Sequence, residues 1–196
     1  MSVEALLDGL AAKSPTPGGG AVAPLAGALA ASLTAMVVNY TIGKKKYAEH
    51  DAAHQASLAH CARIRGLLMQ LADEDVAAYA ALNDLMSRPE DDAERIAEMP
   101  AVALAATQVP LAALAACCDH LRHARTLVGC TNRMLRSDLA IAAILAQAGA
   151  EAAYENVKIN LPLLEKQGLH AGVEEEADTL VRTATTLAAE IREHCA

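Results

Sequence analysis

The sequence predicts an all-α protein, a single-domain helical bundle spanning residues 1–196. Among the 196 residues are 46 Ala and 26 Leu, which rank with the best helix formers. The aromatic residues are four Tyr, with no Phe or Trp, whereas strands favour aromatic and β-branched side chains. Because alanine supplies little apolar area per side chain, we expect close helix approach and an oligomer that buries further surface.

Charge and cysteine content exclude several classes of protein. Lys and Arg number 16 against 24 Asp and Glu, so the net charge is −8 and no concentrated basic face for nucleic acid is expected. The five Cys form no CxxC pair, which indicates reduced thiols rather than a disulfide framework. Glu4 and Asp8 lie where a signal peptide would be basic and then apolar. We therefore predict a cytoplasmic location.

The N-terminal part is predicted to form two helices. Ser2 is a suitable N-cap for a helix over residues 2–13, and the Pro- and Gly-rich segment 14–20 ends it. An uncharged helix follows over residues 18–43, with Pro24 expected in its first turn and Gly43 at its C′ position. Its length suits a membrane span, but its Ala and Gly content favours a buried core helix, so no membrane contact is expected.

A long helix is predicted over residues 49–86, and it contains one irregularity. A stripe at three- and four-residue spacing marks its inner face. The stripe consists of Cys61, Ile64, Leu68, Leu71, Asp75, Tyr79, Leu82 and Met86. Asp75 is the one charged residue in it. It either pairs with an arginine inside the core or acts as a general base whose pKa is raised by apolar surroundings.

Three more helices complete the predicted bundle. One begins near Pro100, kinks at Pro110 and runs to about residue 128, and a loop follows over residues 129–132. Ser137 is expected to cap the next helix, with Asp138 complementing its positive end. The last helix covers residues 172–194.

Three polar features are candidates for binding. The glycine run (Gly18, Gly19, Gly20) precedes a helix, so it either lets backbone amides meet an anion or carbonyl or simply allows close packing. The lysine cluster (Lys44, Lys45, Lys46) follows a helix end and is either a solvated loop or an anion site. Asn156 and Asn160 lie four residues apart on one helix face. The HDAAH segment at 50–54 is a weak metal motif, and we expect no metal site.

In combination, several segments resemble the cyclodeaminase/cyclohydrolase family of folate enzymes. They are SPTPGGG (14–20), LAGAL (25–29), TIGKKKY (41–47), DEDVAAY (73–79), SDL (137–139) and NVKINL (156–161). The sequence departs from the family pattern in the loop GCTN (129–132), where the asparagine before SD is displaced.

The resemblance implies an all-α homodimer with its site near the subunit interface, a tetrahydrofolate substrate and no cofactor. Asp75 occupies the position of the family's proposed proton acceptor. The resemblance also implies that the other matched polar and aromatic residues contact substrate, with the lysine cluster placed for the glutamyl tail. These are Gly18, Gly19, Gly20, Lys44, Lys45, Lys46, Tyr47, Tyr79, Ser137, Asp138, Asn156 and Asn160.

Three functions remain open from the sequence. The first is hydrolysis of 5,10-methenyltetrahydrofolate to 10-formyltetrahydrofolate. The second is cyclisation of 5-formiminotetrahydrofolate with release of ammonia, which passes through the same compound. The third, supported by the altered loop at 129–132, is a dimeric helical binding module without activity.

Overall fold

The computed structural model describes residues 2–166, 168–170 and 172–196. Six α-helices account for most of this part of the chain, and no strand occurs in it, so the all-α prediction is confirmed. The helices are α1 (Val3–Ala11), α2 (Gly19–Asn39), α3 (Asp51–Ser87), α4 (Ala93–Thr126), α5 (Arg136–Lys166) and α6 (Val173–Cys195). Two 3₁₀ turns, Lys45–His50 and Arg133–Leu135, precede α3 and α5.

The central helix α2 lies between α3 and α5, while α4 closes the bundle from the other side and α6 packs on α4 and α5. Helix α2 approaches α5 very closely, as the alanine content predicts. A Cβ at Gly149 would lie 2.9 Å from the carbonyl oxygen of Ala23, and one at Gly27 would lie 2.6 Å from Cys117 Sγ. Both glycines are therefore needed for helix packing.

The predicted N-terminal elements are confirmed with small changes. Ser2 Oγ accepts a hydrogen bond from the Ala5 amide at 3.1 Å and caps α1. Pro24 lies in the second turn of α2 rather than the first, because the helix already begins at Gly19. Gly43 has a φ of 80° in the turn beyond α2, which ends four residues earlier, so it is not the C′ residue.

Two later helix starts were predicted wrongly. Helix α4 begins at Ala93 rather than near Pro100, because Asp92 Oδ1 accepts the Arg95 amide hydrogen bond at 2.8 Å and starts the helix earlier. Ser137 does not cap α5. The 3₁₀ turn Arg133–Leu135 continues directly into the helix, which places Ser137 within its first turn.

Two helices, α2 and α4, are apolar and long enough to cross a membrane by length and composition. About half of each apolar window is buried within the bundle, 56% in α2 and 50% in α4.

Candidate functional site

A cavity of about 280 Å³, here called the Asp75 cavity, opens where the N-terminal end of α2 meets α3, α4 and α5. It brings together seven of the residues singled out in the sequence. They are Gly18, Gly19, Gly20, Asp75, Tyr79, Asn156 and Asn160. Residues far apart in the chain thus meet around one small volume, as expected of a binding site.

The carboxylate of Asp75 lies directly against the first turn of α2. A Cβ built on Gly20 would come within 2.1 Å of Asp75 Oδ2 and 2.2 Å of Oδ1. No side chain other than hydrogen leaves room for the carboxylate in this position. The glycine run therefore has a specific steric role at Gly20, since this glycine permits Asp75 to face the cavity.

Asp75 forms no hydrogen bond or ion pair with the described residues, so it is not the arginine-paired core carboxylate that the sequence left open. Burial raises the pKa of this carboxyl above its ordinary value because apolar surroundings disfavour the charged form. A half-buried carboxylate with no protein partner, next to a cavity, is suited to accept a proton.

The two asparagines of α5 face the same cavity, with different degrees of constraint. Asn160 Nδ2 donates to the backbone carbonyl of Ala106 at 2.8 Å, which fixes the amide and leaves its Oδ1 as an acceptor. Asn156 Oδ1 lies against α2, 3.7 Å from where a Cβ of Gly19 would be. The pair therefore offers fixed and adjustable hydrogen-bonding groups one helical turn apart.

Sequence reasoning missed several residues that line the cavity: Pro15, Thr16, Ala78, Leu82, Ala106 and Ile159. Ile159 was the most detectable of these, because it follows Asn156 by three residues and therefore lies next to it on the helix surface. It is 75% exposed, unusual for a large apolar side chain. The stripe on α3 also differs from the prediction, since Tyr79 and Met86 are 44% and 50% exposed and Leu85 is buried instead of Met86.

The other singled-out residues do not line this cavity in a single chain. The lysine cluster follows the far end of α2, about 30 Å away at 1.5 Å per residue. Tyr47 is buried there, and its hydroxyl oxygen accepts a hydrogen bond from the Arg133 amide at 3.2 Å. Ser137 and Asp138, in the first turn of α5, lie at that same end.

The altered loop at 129–132 is held by specific hydrogen bonds. The Asn132 amide donates to Thr41 Oγ1 at 3.0 Å, and Asn132 Oδ1 accepts from the Met134 amide at 3.3 Å. His54 Nε2 lies 2.9 Å from the carbonyl oxygen of Cys130, to which its N–H donates. The displaced asparagine therefore anchors the loop that leads into α5. In the described part of the chain, no three His, Cys, Asp or Glu side chains converge on a metal site.

The fold and the cavity define a class, namely an all-α protein with one half-buried carboxylate facing a cleft at the N-terminal end of its central helix. The sequence profile of the formiminotransferase-cyclodeaminase family matches residues 2–179. The chain belongs to this family.

Individual relatives agree with this assignment. The chain is 34% identical to a methenyltetrahydrofolate cyclohydrolase from Methylorubrum extorquens, over 95% of this chain and 91% of the relative. It is 31% identical to the formimidoyltransferase-cyclodeaminase of Sus scrofa, covering 90% of this chain but 34% of that longer protein. The crystal structure of formiminotetrahydrofolate cyclodeaminase from Thermotoga maritima superposes with a TM-score of 0.89 at 25% identity, covering 99% of this chain and 95% of that one.

Proposed function

We propose that the protein is an enzyme that hydrolyses 5,10-methenyltetrahydrofolate to 10-formyltetrahydrofolate. The observation that carries the proposal is the unpaired carboxylate of Asp75 in a cavity that also presents two asparagine amides. Similarity to a methenyltetrahydrofolate cyclohydrolase over nearly the whole of both chains favours this reaction among those of the family.

In the proposed mechanism, Asp75 acts as the general base. Water attacks the methenyl carbon that bridges N5 and N10, and the carboxylate accepts the proton that the water loses. While ionised, the carboxylate also stabilises the positive charge of the bridging centre. The hydroxyl of this adduct then loses its proton and becomes the formyl C=O, while the bond between the carbon and N5 breaks and N5 takes up a proton, which leaves the formyl group on N10. The raised pKa of Asp75 makes the group a better proton acceptor than an ordinary carboxylate.

The remaining cavity residues bind and orient the substrate in this proposal. Asn160 Oδ1 and the amide of Asn156 suit the alternating donors and acceptors along a pterin edge. Tyr79 and Ile159 come from α3 and α5, on either side of α2, and supply apolar surface for the flat ring. The reaction is assigned to these side chains and the bound water, with no cofactor.

A second candidate is cyclisation of 5-formiminotetrahydrofolate with loss of ammonia. The likeness to the Thermotoga maritima cyclodeaminase over almost the full chain favours it. The same base would then remove the proton from N10 after its attack on the formimino carbon. An inactive binding module is the least favoured candidate, since Asp75 has no structural partner that would explain its burial in such a protein.

The absorbance of 5,10-methenyltetrahydrofolate distinguishes these candidates. Hydrolysis by the purified protein consumes this chromophore, whereas cyclodeamination produces it from the formimino substrate. We expect enzyme-dependent loss. Enzyme-dependent gain would instead assign the cyclodeaminase, and folate binding with neither change would assign the binding module.

Replacement of the base is the sharpest test of the mechanism. Asp75→Asn should keep the fold and lower kcat at least about 100-fold, the usual contribution of a general base. Asp73→Asn is the matched control, because Asp73 lies two residues earlier on the same helix and is exposed. Turnover of Asp75→Asn within a few-fold of the Asp73 control would reject Asp75 as the base.

We further propose that the protein works as a cytoplasmic homodimer paired through α2. An apolar stripe remains at the surface of this uncharged helix at three- and four-residue spacing. The stripe consists of Val22, Leu25, Leu29, Leu33, Met36 and Tyr40. Leu29 and Tyr40 are 60% and 62% exposed, which is unfavourable for a monomer.

Antiparallel pairing of the two stripes about a two-fold axis would explain where the lysine cluster acts. The axis would pass near the middle of α2, so the C-terminal end of one α2 would lie beside the glycine run of the partner. The lysine cluster of one subunit would then lie near the Asp75 cavity of the other, in reach of the glutamyl carboxylates of a bound folate. The two ends of one α2 are too distant to do this within a single chain.

Charge reversal at Lys45 tests this arrangement. Lys45→Glu should raise KM for polyglutamylated substrate much more than for the monoglutamate, because only the longer tail reaches the cluster. An equal effect on both substrates would contradict tail binding.

Leu29→Glu tests the pairing through α2, since a charge in the apolar stripe should shift the protein to monomers in analytical ultracentrifugation. An unchanged dimer would place the interface elsewhere.

A further inference from the structure

A second cavity of about 310 Å³, here called the basic cavity, lies at the opposite end of the bundle from Asp75. It is formed by the segments that follow α2 and α4, the start of α5 and the end of α6. Lys46, Arg133 and Arg136 line it, and its lining residues include no Asp or Glu. Three cations thus surround a small volume in a protein whose net charge is −8.

No Asp or Glu side chain among the described residues pairs with these cations. The ion pairs among the described residues involve none of the three. Arg136 Nη1 donates to an oxygen of Ala196, the last residue of the sequence, at 3.4 Å, and its other guanidinium hydrogens stay available. Like charges around one cavity repel each other, and this repulsion is relieved when an anion enters.

A buried hydroxyl adds a directed donor to the basic cavity. Tyr47 is 6% exposed and lines the cavity. Its oxygen accepts the Arg133 amide hydrogen bond, and its own O–H hydrogen has no acceptor among the described residues. A hydroxyl donor fixed by packing, together with two arginines and a lysine, suits oxygen atoms that carry negative charge.

We propose that the basic cavity is a binding site for a small anion with two or more closely spaced negative charges, carried by carboxylates or phosphates. Apolar walls from Val128 and Leu139 narrow it, so its lining is more restrictive than an open surface patch. The proposal does not depend on the reaction at Asp75, since the two cavities share no lining residue.

Two sources supply this chemistry. One is the glutamyl tail of a folate bound in the Asp75 cavity of a partner subunit, an assignment that rests on the proposed function and dimer. The other is a free polyanion. The binding assay below detects either source, and the kinetic assay then separates them.

Isothermal titration calorimetry with tripolyphosphate and with free tri-γ-glutamate tests the site. Wild-type protein should bind at least one probe, and the double variant Arg133→Ala/Arg136→Ala should bind it at least tenfold more weakly. The control Arg65→Ala/Arg122→Ala removes the same charge from exposed arginines on α3 and α4 that form no ion pair in the described chain. It should stay within twofold of wild type.

Two results would overturn the proposal. One is the absence of binding heat from both probes. The other is equal weakening in the double variant and its control, which would indicate attraction to overall charge rather than to this cavity. Both results are independent of enzymatic activity, so failure of the proposed reaction would not be mistaken for failure of the site.

Steady-state kinetics then identifies the source. If the tail occupies the cavity, Arg133→Ala/Arg136→Ala raises KM for triglutamyl substrate at least fivefold and leaves the monoglutamate KM unchanged. If a free anion occupies it, both KM values stay unchanged while the calorimetric binding is lost.

Discussion

Two regions of the bundle hold ionisable side chains that lack a full set of hydrogen bonds, and they differ in what surrounds them. Asp75 lies at the Asp75 cavity with no protein partner. The histidine cluster (His60, His120, His123) lies between α3 and α4. Unpartnered buried nitrogens are Nε2 of His60, Nδ1 of His120 and Nε2 of His123.

The cluster is packed rather than open. The ring centroids of His60 and His123 are 4.0 Å apart at an angle of 21°, and His60 and His120 stack at 5.8 Å. His120 Nε2 lies 3.1 Å from Thr34 Oγ1 of α2. Nearly parallel rings do not direct their lone pairs at a common point, in agreement with the absence of a metal site among the described residues.

Burial acts on both regions with opposite sign. It raises the pKa of Asp75, and it lowers the pKa of His120 to about 3 and that of His123 to about 4, with the neighbouring imidazoles adding to the effect. A ligand can supply the hydrogen-bond partners that the Asp75 carboxylate lacks, because this carboxylate faces a cavity. The imidazoles are kept neutral inside packing. A perturbed pKa therefore indicates function only where the group also has access to a ligand.

Among the changes that test this comparison, filling the space in front of the Asp75 carboxylate should have the largest effect on activity. In Gly20→Ala, the new methyl group would meet the Asp75 carboxylate at 2.1 Å, so the carboxylate must move. A displacement of about 1 Å at a reacting group costs on the order of 100-fold in rate. We expect kcat to fall by about that factor while the circular dichroism spectrum remains helical.

Gly66→Ala is the matched control for that variant. Gly66 lies in α3 with no atom within 4 Å of an added Cβ, so activity should be unchanged. The substitution should even stabilise the helix by roughly 0.5–1 kcal/mol, since alanine is the better helix former. If Gly20→Ala were as active as Gly66→Ala, the carboxylate position in the structure would not be the active one.

The same comparison shows how much of the fold and the site can be predicted from the sequence. Periodicity predicts the helices and places Asp75 as the one charge in an apolar stripe, because the 3.6-residue repeat is a local property. The contact between Gly20 and Asp75 joins residues more than fifty positions apart, so no local pattern indicated that the two meet. The early start of α4 was missed because the Asp92 cap begins the helix seven residues before Pro100, which lies inside it.

How the two ends of α2 could serve one site was beyond sequence reasoning. The predicted helix over residues 18–43 already separates the glycine run from the lysine cluster, although the family motif groups both with the binding site. Their distance follows from the straight path of one helix. In the proposed dimer they would meet across two chains paired through the apolar stripe of α2.

The smallest expected effect concerns the pH dependence of stability, measured by urea unfolding between pH 7 and pH 5. The folded-state pKa values of His120 and His123 lie below the ordinary 6.5, so the unfolded chain binds more protons in this range and stability falls as the pH falls below 6.5. His120 alone should account for a loss of about 2 kcal/mol at pH 5. Asp75 acts in the opposite direction, since its raised pKa favours the folded state on acidification.

Charged side chains near the histidine cluster also shift the pKa values of its imidazoles. Asp119 raises the pKa of His60 and His123 while Arg63 lowers it, yet burial is the largest influence on all three imidazoles.

His123→Gln removes one titrating ring and its repulsion of the other two, so stability should depend less steeply on pH than in wild type. His170→Gln, at an exposed position before α6, should leave the wild-type dependence intact. Equal slopes in His123→Gln and wild type would mean that the cluster takes up protons without loss of the fold, and the distinction between a closed cluster and an open cavity would no longer hold.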